Sequence, residues 1–146
     1  MAEYLKRPLK SGTETGPKAD HSKHIATLVF ELMVGATKVH INHLLVTGTG
    51  SYAAHKAMNE FYDAAPDLAD DVAEQFQGVT EKLLTFPTSA NLPTMKTAED
   101  CIKYLRGLYD LADMVHEACG HSEIQNTIDE IKSLINSTKY KLLFLK

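Results

Sequence analysis

Five polar residues, His55, Asn59, Asp63, Asp70 and Glu74, fall within one short stretch of this sequence of 146 residues. On an α-helix, at about 100° per residue, all five lie within an arc of about 100°, so one helix face carries them. Imidazole and carboxylate together suit iron, manganese or zinc. His55 and Glu74 stand 19 residues apart, about 28 Å along a helix, so one copy cannot close both on a single ion. Two antiparallel copies can. His55 meets the other copy's Glu74 when the position numbers add to 129, and Asn59 with Asp70 adds to the same number. One register therefore brings both pairs together, and twofold symmetry repeats the site. The spacing predicts a homodimer, or a higher homo-oligomer, built through this helix. The crossing falls between Ala64 and Ala65, whose small side chains are expected to let the helices approach.

The rest of the chain supplies the helices that must hold this face. Ile25, Leu28, Leu32, Ala36, Val39 and His43 recur in steps of three and four after Asp20, an expected N-cap. Thr47-Gly48-Thr49-Gly50 ends that helix. A second helix is expected from about Ser51 to Leu84, either kinked at Pro66 or split there into two. Residues 85–93 read as a loop reaching partway along a bundle. Thr97 with Asp100 makes a capping box for a third helix, closed by Gly120, and Ser122 with Gln125 a second box for a fourth. The fourth stripe runs Ile124, Ile128, Ile131, Ile135, Thr138, Leu142 and Leu145. No strand-like alternation or internal repeat is present, so the fold class is all-α: a four-helix bundle over residues 20–146 behind an arm of residues 1–19.

Composition is that of a globular cytoplasmic protein: 44% hydrophobic, 23% charged, net charge −4. No unbroken apolar run approaches the roughly 20 residues of a membrane span, and no signal peptide is read at the start. Two cysteines fit a reducing compartment. The arm carries Lys6, Arg7, Lys10 and Lys18 against Glu3 and Glu14, a weak electrostatic footprint, so it is read as a solvated terminus rather than a DNA-binding tail.

The spacing of His43, His55, Asp70 and Glu74 resembles that of the ferroxidase ligands of the Dps family, ferritin-like proteins with an iron site between subunits. His43-Leu-Leu-Val-Thr-Gly48 resembles that family's His-Trp-x-x-x-Gly, and Asp70-Asp-Val-Ala-Glu74 its Asp-x-x-Ala-Glu. The resemblance implies a ferritin-like bundle that binds Fe(II), or another divalent metal such as Mn or Zn, and oxidises it with peroxide or oxygen. It assigns His43, His55 and position 59 to one chain, with Asp70 and Glu74 from the other. Position 59 is Asn where the family has Asp, and Leu44 stands in place of Trp. The second and third helices are joined by a stretch too short for the family's extra small helix. Asn59 is then a ligand or a group that hydrogen-bonds to one, and Asp63 a candidate substitute for the missing carboxylate. The alternative is a non-catalytic helical dimer or assembly protein that keeps the fold without a competent site.

The remaining histidines read more plainly. His21 and His24 form an exposed pair, and His40, one turn before His43, is placed to join it but is expected to pack or face solvent. Asp113-x-x-His116 has a metal-motif spacing but no counterpart on the second or fourth helix, so His116 is expected in the core with Met33 and Met58.

Overall fold

The computed structural model describes residues 20–145; the arm expected over residues 1–19 lies outside them. Four helices follow in order, α1 (Ser22–Leu45), α2 (Ser51–Thr80), α3 (Ala98–Ala118) and α4 (Ser122–Phe144), with no strand among the described residues. The apolar stripes meet in one core, in which Ile25, Leu28, Leu32, Val39, Met58, Phe61, Leu105, Ile124, Ile128, Ile131 and Ile135 are fully shielded. This is the all-α four-helix bundle that the periodicity predicts.

The connectivity is more informative than the sequence reading allowed. Asn42, near the end of α1, donates its side-chain amide to the Thr97 carbonyl (3.0 Å), the residue that caps the start of α3. At the opposite end, Ser22, Thr80 and Ala118 line one cavity together. The chain therefore runs up, down, down and up. Residues 81–97 carry it back along the whole bundle, not partway. At roughly 3.3 Å per extended residue they can reach about 55 Å, ample for a helix the length of α2 at about 1.5 Å per residue. A single long crossover is the connectivity of ferritin-like bundles. Adjacent helices are α1 with α2, α2 with α4, α4 with α3 and α3 with α1. Every adjacent pair is antiparallel, so the helix dipoles oppose one another around the ring.

Several local expectations are corrected. The second helix stops at Thr80, where Glu81 takes a left-handed conformation (φ 56°). Leu84 instead lies buried in the crossover, its N–H held by the Gln77 side chain at 2.9 Å. The helix passes Pro66 in one run, although the proline denies the Tyr62 carbonyl its usual N–H partner. Thr97 and Asp100 form the capping box. The second box does not form: Ser122 is already inside α4, and Gln125 turns back to the His116 and Cys119 carbonyls. His21 is the α1 N-cap, with Asp20 accepting the Ser22 N–H from one residue earlier (3.0 Å). Met33 and Leu145 are exposed, whereas Met58 is fully buried.

Ala65 is also corrected. It is fully buried inside its own bundle, so it cannot meet a second copy. On the arc that carries His55 and Asp70, the residues flanking the midpoint are Asp63, exposed, and Pro66, half-buried. Their numbers add to 129 as well.

α1 is the most apolar element. By length and composition it is sufficient to cross a membrane, but half of its apolar window is buried in the bundle. Its one glycine in mid-course, Gly35, makes room for α3: a Cβ there would overlap the Tyr104 hydroxyl, which donates to the Glu31 carbonyl at 3.1 Å. Burial, then the Glu31 carboxylate, pushes the Tyr104 phenol far above its ordinary value, so it stays a donor.

Candidate metal centre

The α1–α2 turn brings two of the predicted ligands together. Gly48 (φ 90°) and Gly50 (φ 78°) both take left-handed conformations, which glycine adopts without the Cβ penalty. The turn folds the last turn of α1 onto the first turns of α2, and His43 stacks on His55 with ring centroids 3.6 Å apart and planes 22° off parallel. Each ring is pinned by the other residue's main chain. His43 Nδ1 lies 3.0 Å from the His55 carbonyl oxygen, and His55 Nδ1 lies 3.2 Å from that of His43. A carbonyl only accepts, so each Nδ1 carries the proton and donates it. Both Nε2 atoms are left as lone-pair donors. Metal-binding histidines are fixed by this kind of Nδ1–H to carbonyl bond. His43 is buried and His55 half-buried.

Around this pair stand two residues that the sequence reading underweighted. The Tyr62 and His43 rings meet T-shaped at 5.1 Å between centroids, and the Tyr62 hydroxyl lies 3.4 Å from His43 Nε2. His40 stacks on the outer face of Tyr62 at 4.0 Å, nearly parallel. Burial, then the Asp63 carboxylate, raises the Tyr62 phenol above its ordinary value. Tyr62 follows His55 by seven residues, two helical turns, and that step placed it beside the site.

The carboxylates are distributed otherwise. Asn59 donates its side-chain amide to Asp63 one turn along, so neither projects free toward the histidines. Asp70 and Glu74 are exposed farther down α2. Among the described residues of one chain, no group of three or more His, Cys, Asp or Glu converges on a point that could hold a metal. Of the four predicted ligands, one chain brings together only His43 and His55.

The other histidines lie elsewhere. His21 and His24 stack loosely at 6.3 Å. His116 sits on the α3–α4 seam, not in the core, with Nε2 at 3.5 Å from Asp129 and its side chain 22% exposed. Beside it Lys132 bonds Asp113 at 2.7 Å. An ammonium already occupies the space between those carboxylates, which is why this spacing builds an ion-pair cluster rather than a metal site.

Residues 45–142 match a family of unknown function, DUF5856. The chain belongs to that family. The match takes in α2, α3 and nearly all of α4, with His55, Asn59, Tyr62, Asp70 and Glu74, and begins two residues after His43. A protein of similar sequence is the uncharacterized 14.6 kDa protein in the mobD-ri intergenic region of Enterobacteria phage T4, 33% identical over 96 residues, which covers 64% of this chain and 70% of that protein. No solved structure matches the chain.

Proposed function

We propose that this DUF5856 member is a divergent ferritin-like protein of the Dps type, which binds Fe(II) between two copies of itself and oxidises it. The observation that carries this reading is the paired Nδ1 anchoring of His43 and His55, which turns neither ring's Nε2 to a main-chain carbonyl and so leaves both available as donors. Two imidazoles alone hold iron weakly. Asp70 and Glu74 of a second copy, in the antiparallel register, would supply the oxygen donors and the negative charge. The single crossover and the position of the pair between the first two helices accord with a ferritin-like bundle.

A second copy is also suggested by α1. Met33, Ile41 and Leu44 are 41%, 44% and 70% exposed, and their spacing of eight and three puts them on one outward face, beside His40. An apolar face on an already apolar helix calls for a cover, and a mate docking α2 on α2 lies next to it. The facing surfaces of α2 are acidic, with Asp63, Asp67, Asp70 and Glu74, so divalent cations would offset their repulsion.

In this scheme Fe(II) is substrate. Two Fe(II) give up one electron each, and one hydrogen peroxide takes both electrons with two protons to become two waters. His43 and His55 would hold the metal, and the Nδ1–H to carbonyl bonds would keep their tautomers fixed while charge changes beside them. Both cysteines are buried thiols, in keeping with a reducing, cytoplasmic setting.

The alternative reading, a helical assembly protein without a working centre, is favoured by Asn59, whose amide is spent on Asp63. The deciding experiment is an oxygen-free Fe(II) titration of wild type and His55→Ala, followed by peroxide, with sedimentation of each. The proposal expects iron bound and oxidised by a wild-type dimer and neither in the variant. A wild type that binds no iron leaves the assembly reading.

A further inference from the structure

The site as read from His43, His55, Asp70 and Glu74 lacks an anionic donor on the histidine side, because position 59 is Asn and its amide is turned onto Asp63. The geometry points to the Tyr62 phenol oxygen as that donor: a metal ligand that shares one ion with His43 Nε2. This rests on the proposal that the histidine pair binds metal.

Tyr62 Oη and His43 Nε2 are 3.4 Å apart. That is long for a hydrogen bond from a hydroxyl, which favours about 2.7–2.8 Å. It is the spacing of two ligands on one ion. With metal–nitrogen and metal–oxygen distances of about 2.0–2.2 Å, a tetrahedral angle separates the donors by about 3.4 Å, and a right angle by about 2.9 Å. His43 Nδ1 is committed to the His55 carbonyl, so the Nε2 lone pair is the one that looks toward Tyr62.

The surroundings hold the phenol in place. His40 stacks on one face of the Tyr62 ring at 4.0 Å, and the His43 ring meets it T-shaped, 84° between planes. The ring also packs against the core. Tyr62 therefore cannot swing freely, and its oxygen arrives already placed. Tyrosine is an established ligand type for iron. Binding is an exchange without electron transfer: the phenol O–H bond breaks, the proton leaves to water, and an oxygen lone pair forms the bond to the metal. A bound cation drives that proton loss as it does for other coordinated groups.

The test uses the full chain loaded with Fe(II) without oxygen and then treated with hydrogen peroxide. A phenolate on Fe(III) gives a visible charge-transfer band with tyrosine vibrations in its resonance Raman spectrum. Wild type should show both. Tyr62→Phe keeps the ring and its stacking, and its thermal melt should report a folded bundle. It should still bind iron, at least about tenfold more weakly, with no band. Asn59→Asp combined with Tyr62→Phe should recover affinity but not the band. His55→Ala should hold little iron and show no band. Wild-type iron without the band, or an unchanged band and affinity in Tyr62→Phe, overturns Tyr62 as a ligand while the histidine site stands. A wild type that binds no iron overturns both.

Discussion

Asn59 gives its side-chain amide to Asp63, one turn along α2 and on the same outward arc. The pair leaves position 59 neutral and occupies an Asp63 carboxylate oxygen. The exchange of one oxygen for one nitrogen therefore changes both residues' availability.

Asn59→Asp is nearly isosteric, and it replaces that hydrogen bond with two carboxylates in contact. Without metal the variant should be less stable than wild type, by about 1 kcal/mol for the lost bond. With Fe(II) the order should reverse, and peroxide-driven oxidation should accelerate in stopped-flow absorbance against wild type and His55→Ala. A rate and affinity equal to wild type would mean the centre is built to work with Asn59.

Two substitutions on α2 separate the fold from the dimer. Ala65 is fully buried, so Ala65→Trp should lower the melting temperature sharply, at about 1–3 kcal/mol or more for overpacking. Pro66→Glu restores a helix-forming residue and an N–H within α2. It also places a charge opposite the mate's Asp63 in the proposed register. Its melt should be unchanged or raised while sedimentation shows monomer. A Pro66→Glu protein that remains a tight dimer would exclude an α2–α2 contact in that register.

Gly35→Ala should destabilise although alanine is the better helix former by about 1 kcal/mol. The added methyl meets the Tyr104 hydroxyl, and moving the phenol breaks its bond to the Glu31 carbonyl. A net loss of about 1–3 kcal/mol is expected in urea melts. Gly35→Ala combined with Tyr104→Phe should recover part of it.

Asp100 accepts the N–H groups of Lys96 and Thr97 at 2.9 and 3.0 Å. The bond from Lys96 N–H is the first cause holding its carboxyl below the ordinary 3.8, followed by Thr97. A lowered folded value means the capping contribution is fully present above about pH 3.8 and is lost as pH falls through the lowered value. Wild type should thus lose stability in that acid window, and Asp100→Asn should lose less across it, measured as melting temperature against pH.

The sequence carried the helices because periodicity and capping are local. Thr97 and Asp100 cap α3 from three residues apart, and the α1 stripe from Ile25 to His43 is buried throughout. Ser122 and Gln125 have the same spacing signal, but Gln125 finds the His116 and Cys119 carbonyls closer. A cap competes with partners that only the folded chain provides. The His43–His55 stack could be anticipated only through family resemblance, since it depends on two left-handed glycines in the turn. Nothing local marks Tyr62, because the neighbour it meets, His43, lies on another helix. Ala65 was misplaced because small size suits a core as well as a crossing.

Since α1 rises and α4 rises beside the descending pair, Asp20 and Leu145 stand at opposite poles, about 36 Å apart by the length of α1. Leu145 lines the same cleft as Gly50 and Ser51, near the turn that seats the histidines. A purification tag or fluorescent fusion attached after α4 thus emerges at the histidine pole, where its bulk can crowd the turn. One attached ahead of Asp20 joins the bundle at the other pole. Joining Asp20 directly to Leu145 in a circular permutant would require a linker as long as the bundle itself.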